Sequence, residues 1–321
     1  MSREADAPPL RVICGPTGSG KTQLTLDLAA ALGGATRPLV INADSRQLYA
    51  GFAVGTAAPT AEEQRCVPHT LVGSVSPDIR FTAAHWADAA RRALADAVVD
   101  GFTPVVVGGT GFYVRALLTP LFDEPPVDPA RRSALRQWMR HRSHEELTRW
   151  AEALDPLGTA AGRAQRERAI EMALLTGVPL REWHRSDRPT GPAPLAVRYL
   201  VVDPGADVLA QRLERRLHQM LAAGWRDEVA HLAETVSPEA PAWHACGYLA
   251  LREAGAGQRS LADALDAVRI ETRQYVKRQR TWYRHQLREG PVTLLDPSHP
   301  DALTQAVAWW HATASDPSVH P

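Results

Sequence analysis

The 321-residue sequence predicts an α/β fold: a P-loop, parallel-sheet core with helices on both faces, interrupted by an inserted, mainly helical module. Three observations point that way. A short apolar run leads into the glycine-rich GPTGSGKT and then into a helix pattern, a strand–loop–helix unit. Further apolar runs alternate with amphipathic helical stretches, as strands joined by crossover helices do. After a proline-rich break, strand signals stop until residue 195.

The elements follow in order. Leu10 to Ile13 is the first strand, and QLTLDLAAAL is the first helix, with Leu24, Leu28 and Leu32 at i, i+4 and i+8. Leu39 to Asn42 and Pro104 to Val107 are buried strands, separated by the helical TAAHWADAARRALADAV. The core's first part ends at residue 121, and DEPPVDP opens the module at 122–194, where RRSALRQWMRHRSHEELTRWAEAL and RERAIEMALLTG are helical. LAVRYLVVD at 195–203 returns to the sheet. Residues from Val208 to about Leu287 are helical again, and VTLLD near 292–296 adds a last strand. The core thus resumes over 195–313, and residues 1–8 and the tail 314–321 are expected to be loose.

Charge and composition exclude several classes. With 36 Lys+Arg against 36 Asp+Glu, the surface is not a uniform coat for a polyanion, so any such partner must be met locally. Cys14, Cys66 and Cys246 are odd in number and far apart, which excludes a disulfide framework and a zinc knuckle and fits a reducing compartment. MSREADAPPL lacks a signal peptide's apolar run, and no segment approaches the ~18 apolar residues of a membrane span. A cytoplasmic protein without a membrane partner is expected.

Gly15, Gly18 and Gly20 let the loop turn its amides inward, with Pro16, Thr17 and Ser19 completing the cradle. Lys21 reaches a terminal phosphate and the Thr22 hydroxyl suits Mg²⁺. This predicts a diphosphate or triphosphate ligand without naming the reaction. A hydrolase or kinase would place an acid after a buried strand, yet here PVVV runs into GGTGFY. Asp44, in INADSRQLY, is the acid that does follow a strand, and by itself it reads as a metal ligand, a helix N-cap or a proton acceptor. Thr110, after the glycine pair, reads as a turn residue or a site hydroxyl. Arg216 shares a helix pattern with Arg212, Glu214 and Arg215 and reads unaided as a solvated face. Arg273, Lys277, Arg280 and Arg284 recur as one stripe on a helix, with Tyr275 and Trp282 on the opposite side. Further arginines cluster at Arg131, Arg132, Arg136, Arg140 and Arg142, and at Arg163, Arg166 and Arg168.

The segments GPTGSGKT, NADSRQLYAGFAVGTAAPT, VPHTL, VVVGGTGFYVRALL, LERRLHQMLAAGW, Gly247-Tyr248 and TRQYVKRQRTWYR succeed one another from residue 12 to about 288. Together they resemble the bacterial tRNA dimethylallyltransferase family, also called tRNA isopentenyltransferases. The resemblance implies transfer of a dimethylallyl group from dimethylallyl diphosphate to the exocyclic amine of the adenine 3′-adjacent to certain anticodons, releasing diphosphate. It implies that the loop, Lys21 and Mg²⁺ at Thr22 hold a leaving group. Asp44 then accepts the amine proton, Thr110 lies near that amine, and Arg216 holds the diphosphate. It also places Ser45, Arg46 and Gln47 against tRNA, makes the inserted module the seat of the anticodon arm, and assigns tRNA contacts to Arg132, Gln165, Arg166, Glu167 and Arg168. The stripe Arg273, Lys277, Arg280 and Arg284 would meet RNA phosphates. A monomer is expected.

The chain departs from the family pattern at Ala58, where GTAKP carries lysine, at Thr70 and Gly73, where VPHHLID carries histidine and aspartate, and in a shortened spacing around Arg163. His69 is kept, and no zinc finger follows the basic helix. An altered grip on tRNA is the consequence to look for. Two other readings remain: prenyl transfer to free adenine nucleotides, against which the arginine-rich module and the basic helix count, and a P-loop NTPase or kinase.

Overall fold

The computed structural model describes residues 9–119, 125–158, 162–186, 195–287 and 290–313. The ends expected to be loose, 1–8 and 314–321, lie outside the described residues. The chain runs β1 (Leu10–Cys14), α1 (Lys21–Leu32), β2 (Pro38–Asn42), α2 (Ala61–Cys66), β3 (His69–Thr70), α3 (Ala83–Val99), β4 (Thr103–Gly108) and α4 (Gly111–Leu118). Four helices follow: α5 (Pro129–Arg140), α6 (His144–Leu154), α7 (Arg163–Thr176) and α8 (Leu180–Ser186). β5 (Val197–Val202), α9 (Ala206–Ala222), α10 (Trp225–Thr235), α11 (Tyr248–Gly255), α12 (Leu261–Gln286), β6 (Val292–Leu295) and α13 (Ala302–His311) close the chain.

The six strands form one parallel sheet in the order β3-β2-β4-β1-β5-β6. Five of them lie where the apolar runs place them. β3 and α2 were not anticipated, and both are too short to show a period. The start of α2 did carry a local signal: Thr60 and Glu63 cap each other's backbone amides, the S/T-x-x-E box. The connection from β1 to β2 runs one way along the sheet and that from β3 to β4 runs back. Right-handed crossovers therefore put α1 and α3 on opposite faces. On the α1 side, Ile13, Val105, Val107 and Leu200 pack with Leu28 and with Trp309 of α13. On the α3 side, Trp86 stacks on Tyr113 of α4 at 4.9 Å and donates its indole N–H to the Asn42 carbonyl at 2.9 Å, which anchors the end of β2.

The carboxyl ends of β2, β4, β1 and β5 lie side by side, the edge at which open α/β sheets bind ligands. Two glycines permit the crowding there. A Cβ on Gly108 would fall 2.2 Å from the Ala43 carbonyl carbon, and one on Gly15, at φ +151°, would fall 2.1 Å from the Val202 oxygen.

The chain divides into two compact units, one of residues 1–118 with 194–321 and the other of residues 119–193. In the second, Met139, Leu147, Ala151 and Ile170 form the core. Beside it the Glu171 carboxylate, 3% exposed, is met by Arg132 at 3.2 Å, Arg136 at 2.7 Å and Arg168 at 3.0 Å. A buried carboxylate without cationic partners is costly, so these guanidiniums are drawn inward to join α5 to α7. Their neighbours are also held locally. Gln165 accepts the Gly162 N–H at 3.1 Å, Glu167 pairs with Arg163 at 2.7 Å, and Arg166 donates to His144 Nε2 at 3.1 Å. Replacing Glu171 by glutamine should destabilise this unit by about 3 kcal/mol, seen as a lower midpoint in urea unfolding, because three guanidiniums would then face an uncharged amide.

Candidate active site

The phosphate cradle is built by β1 and α1. Gly20, in the left-handed region, precedes α1, whose first amides receive no side-chain cap and whose first turn holds no acid. Such an open helix N-terminus favours an anion through its free N–H groups and its dipole. The Lys21 ammonium folds over the loop and donates to the carbonyls of Gly15 at 3.0 Å and Pro16 at 2.9 Å. Burial lowers its pKa to about 8, against the pull of Asp44 and with nearby Arg216 adding to the fall. Arg212 braces the loop from α9, donating to the Ser19 carbonyl at 2.8 Å.

A residue far along the chain holds this loop in place. Buried Gln279 of α12 accepts the Thr17 N–H at 2.9 Å and donates to the Gly109 carbonyl at 2.8 Å, tying the loop after β1 to the loop after β4. Tyr283, one turn on, donates to the Gly108 carbonyl at 3.3 Å. In the sequence Gln279 is inconspicuous among its charged neighbours. Its period with Val268, Val276 and Tyr283, the buried face of α12, was the available signal. Gln279→Ala would strand a donor and an acceptor at a cost of about 1–3 kcal/mol and weaken pyrophosphate binding, checked by thermal melting and calorimetry.

Asp44 follows β2 by two residues. One carboxylate oxygen accepts the Arg46 N–H at 2.9 Å, and its own N–H is held by Asn42 Oδ1 at 3.2 Å. The carboxylate thus closes a tight turn; no helix begins there for it to cap. Thr110 is held beside it. The Thr110 N–H donates to the Ala43 carbonyl at 3.0 Å and its Oγ1 accepts the Ser45 N–H at 3.0 Å. Tyr275 Oη lies 3.5 Å from that hydroxyl. Burial, with Asp44 nearby, raises the Tyr275 pKa to about 12, so the phenol keeps its proton. The sequence pattern places Tyr275 only on the side opposite the basic stripe; the fold turns it into the site, with the Arg46 guanidinium 5.8 Å from its ring.

Arg216 is not part of a solvated face. It donates to the Thr56 carbonyl at 2.6 Å, and burial lowers its pKa against the pull of Asp44. Gln47 donates to the carbonyls of Ala57 at 3.0 Å and Thr56 at 3.3 Å. Two cavities meet among these groups. A polar one of about 770 Å³ is lined by Lys21, Thr22, Asp44, Arg212, Arg215 and Arg216. A smaller one of about 240 Å³ has apolar walls from Leu209, Leu213, Leu217, Met220, Trp225 and Val276. Thr17, Asp44 and Arg216 line both.

On α12, Arg273, Lys277 and Arg284 are exposed, and Arg280 of the same stripe is half-buried. It lies one turn beyond buried Val276, on the flank of the packed face, and binds Asp203 Oδ1 at 2.6 Å and the Pro204 carbonyl at 2.7 Å. Of the departures, Ala58 donates its N–H to Ala53, Thr70 belongs to β3, and the Gly73 N–H donates to Gln47. His69 borders the polar cavity with Nδ1 at 2.7 Å from the Val67 carbonyl, and burial lowers its pKa.

This arrangement can hold a diphosphate beside an apolar chamber, with a carboxylate at the border. The family model described as IPP transferase matches residues 47–286. A tRNA dimethylallyltransferase from Rhodopseudomonas palustris is 37% identical over 310 residues, 95% of both chains. Another, from Sphingopyxis alaskensis, is 39% identical over 282 residues, 86% of this chain and 90% of its own. The crystal structure of the tRNA isopentenylpyrophosphate transferase from Bacillus halodurans aligns with a TM-score of 0.66 at 29% identity, over 94% of this chain and 95% of that one. The matched stretch runs from Gln47 to the last residue of α12 and takes in Thr110, Arg216 and Gln279, and the chain belongs to the IPP transferase family.

Proposed function

We propose that this enzyme transfers a dimethylallyl group from dimethylallyl diphosphate to the exocyclic amine of the adenine 3′-adjacent to the anticodon in tRNA, releasing diphosphate. One observation carries the reading: Thr17, Asp44 and Arg216 border both the polar phosphate cavity and the apolar one. A donor with an anionic head and a five-carbon apolar tail is accommodated by such a pair, with its reacting carbon at the shared border, where the carboxylate stands.

As the allylic C–O bond breaks, its electron pair leaves with the diphosphate. The α1 amides, Lys21 and Arg216 stabilise that growing charge more than they stabilise the bound donor, the condition for lowering the barrier. The amine nitrogen forms the new C–N bond with its lone pair, and Asp44 takes the proton released. Thr110 and Tyr275 line the approach to that nitrogen with hydroxyls. Mg²⁺ fits this site. Thr22 lines the polar cavity beside Lys21, where its hydroxyl would hold the ion. Mg²⁺ typically binds through one or two protein oxygens plus substrate phosphates. When bound at Thr22 it would neutralise further charge on the leaving diphosphate.

The exposed Arg273, Lys277 and Arg284 support contact with tRNA phosphates on the outer side of the helix whose inner side holds the cradle through Gln279. A target base in an anticodon loop is already unpaired, so extruding it toward Asp44 costs little. A tRNA substrate supports a cytoplasmic location. No described helix is long and apolar enough to cross a membrane. The test is to incubate the protein with radiolabelled dimethylallyl diphosphate, Mg²⁺ and either unmodified tRNA or AMP. Label in tRNA supports the reading, label in AMP alone replaces it with the free-nucleotide enzyme, and NTP turnover without label replaces it with an NTPase.

A further inference from the structure

Three of the segments that carry the resemblance, GFAVGTAAPT, AAGW and Gly247-Tyr248, meet at a point away from the reacting groups. The structure brings them to one carboxylate. Glu228 of α10 accepts the N–H groups of Ala53 at 3.0 Å, Val54 at 2.7 Å and Gly55 at 3.2 Å, and the Tyr248 hydroxyl at 2.6 Å. Three successive amides converging on one point make a nest suited to an anion, and here the protein fills it with its own side chain. Trp225 closes the other side: a Cβ on Gly55 would fall 1.9 Å from its indole nitrogen. The Tyr248 pKa is driven up by burial and by the adjacent Glu228, so the phenol remains a donor.

The carbonyls of the same loop serve the candidate site. Thr56 accepts from Arg216, and Thr56 and Ala57 together accept from Gln47. Ala57 sits at φ +43°, a left-handed conformation that a residue with a Cβ keeps only when its surroundings over-determine it. Glu228 on the amides of residues 53–55 and Arg216 on the carbonyl of residue 56 therefore constrain one short loop from both ends.

We propose that Glu228 is a positioning residue for prenyl transfer: by locking the amides of Ala53, Val54 and Gly55 it holds the Thr56 carbonyl where that carbonyl orients Arg216 onto the diphosphate. The proposal rests on the assignment of Arg216 to the diphosphate given above. Glu228→Gln keeps the shape and removes the charge, and kcat/KM for dimethylallyl diphosphate should fall about 10²-fold through a misplaced guanidinium. The dissociation constant for tRNA should not change.

A double-mutant cycle separates positioning from general structural support. In an Arg216→Ala background, Glu228→Gln should lower kcat/KM by less than about threefold, because the partner it positions is gone. Wild-type kcat/KM in Glu228→Gln, or the full loss persisting without Arg216, overturns the proposal. A fully active Arg216→Ala enzyme refutes the assignment of Arg216 itself and this proposal with it; an impaired Arg216→Ala beside an unimpaired Glu228→Gln refutes the positioning alone. Should Glu228→Gln not fold, Tyr248→Phe removes one of the carboxylate's four bonds and enters the same cycle. Its loss should vanish without Arg216, and a loss that persists, or no loss at all, overturns the proposal.

Discussion

Asp44→Asn is expected to lower the single-turnover rate of prenyl transfer by about 10²–10⁴-fold, the range a positioned general base supplies. Asparagine keeps an oxygen for the Arg46 N–H, so the turn after β2 survives and the loss falls on proton transfer. Donor affinity should hold or tighten. Asp44 lies near Lys21 and Arg216, and removing its charge takes away a competitor for those cations. Rate and affinity should therefore part company, rapid-quench kinetics reporting the first and equilibrium binding of the donor the second. Turnover preserved in this variant would remove Asp44 from the role of base.

Lys21→Met should instead weaken donor binding and slow chemistry together, with kcat/KM down by about 10²–10³-fold, as for loss of one preorganised group facing developing charge. The lysine also sets a pH dependence whose sign follows from its environment. In the free enzyme its pKa lies at about 8, lowered by burial. A bound diphosphate favours the charged ammonium and raises that value, so binding above pH 8 takes up a proton. Donor affinity should be level with respect to this group below about pH 8. Above it, affinity should fall by up to about tenfold per pH unit until the pKa of the bound form is reached. Calorimetry in buffers of different ionisation enthalpy measures the proton uptake directly. In Lys21→Met that component should disappear, and an unchanged pH slope there would assign the titration to another group.

Much of this architecture is written locally. GPTGSGKT between an apolar run and a leucine-periodic stretch specifies strand, cradle and helix, because glycine torsions, helix dipole and hydrophobic period all act over a few residues. β3 escaped because two residues carry no period. The candidate site was legible where its groups sit in the strand-end loops: the cradle, Asp44 and Thr110. It was not legible where a group's role depends on its partner. Gln279 and Glu228 are ordinary helix residues in sequence, and each gains its meaning from amides more than 170 positions away.

The amino-acid order by itself determined the parallel α/β core, the phosphate cradle, the family, and the identity of the acid that follows β2. Tertiary structure alone decided where the arginines point. Arg216, which reads unaided as a solvated face, turns inward because a carbonyl and a carboxylate await it, whereas Arg132 and Arg168 pair with the buried Glu171 and Arg280 pairs with Asp203. The reason is physical. A side chain's charge is a property of one residue, but the energy of that charge depends on the dielectric and the counter-charge around it, and those exist only once distant segments have packed.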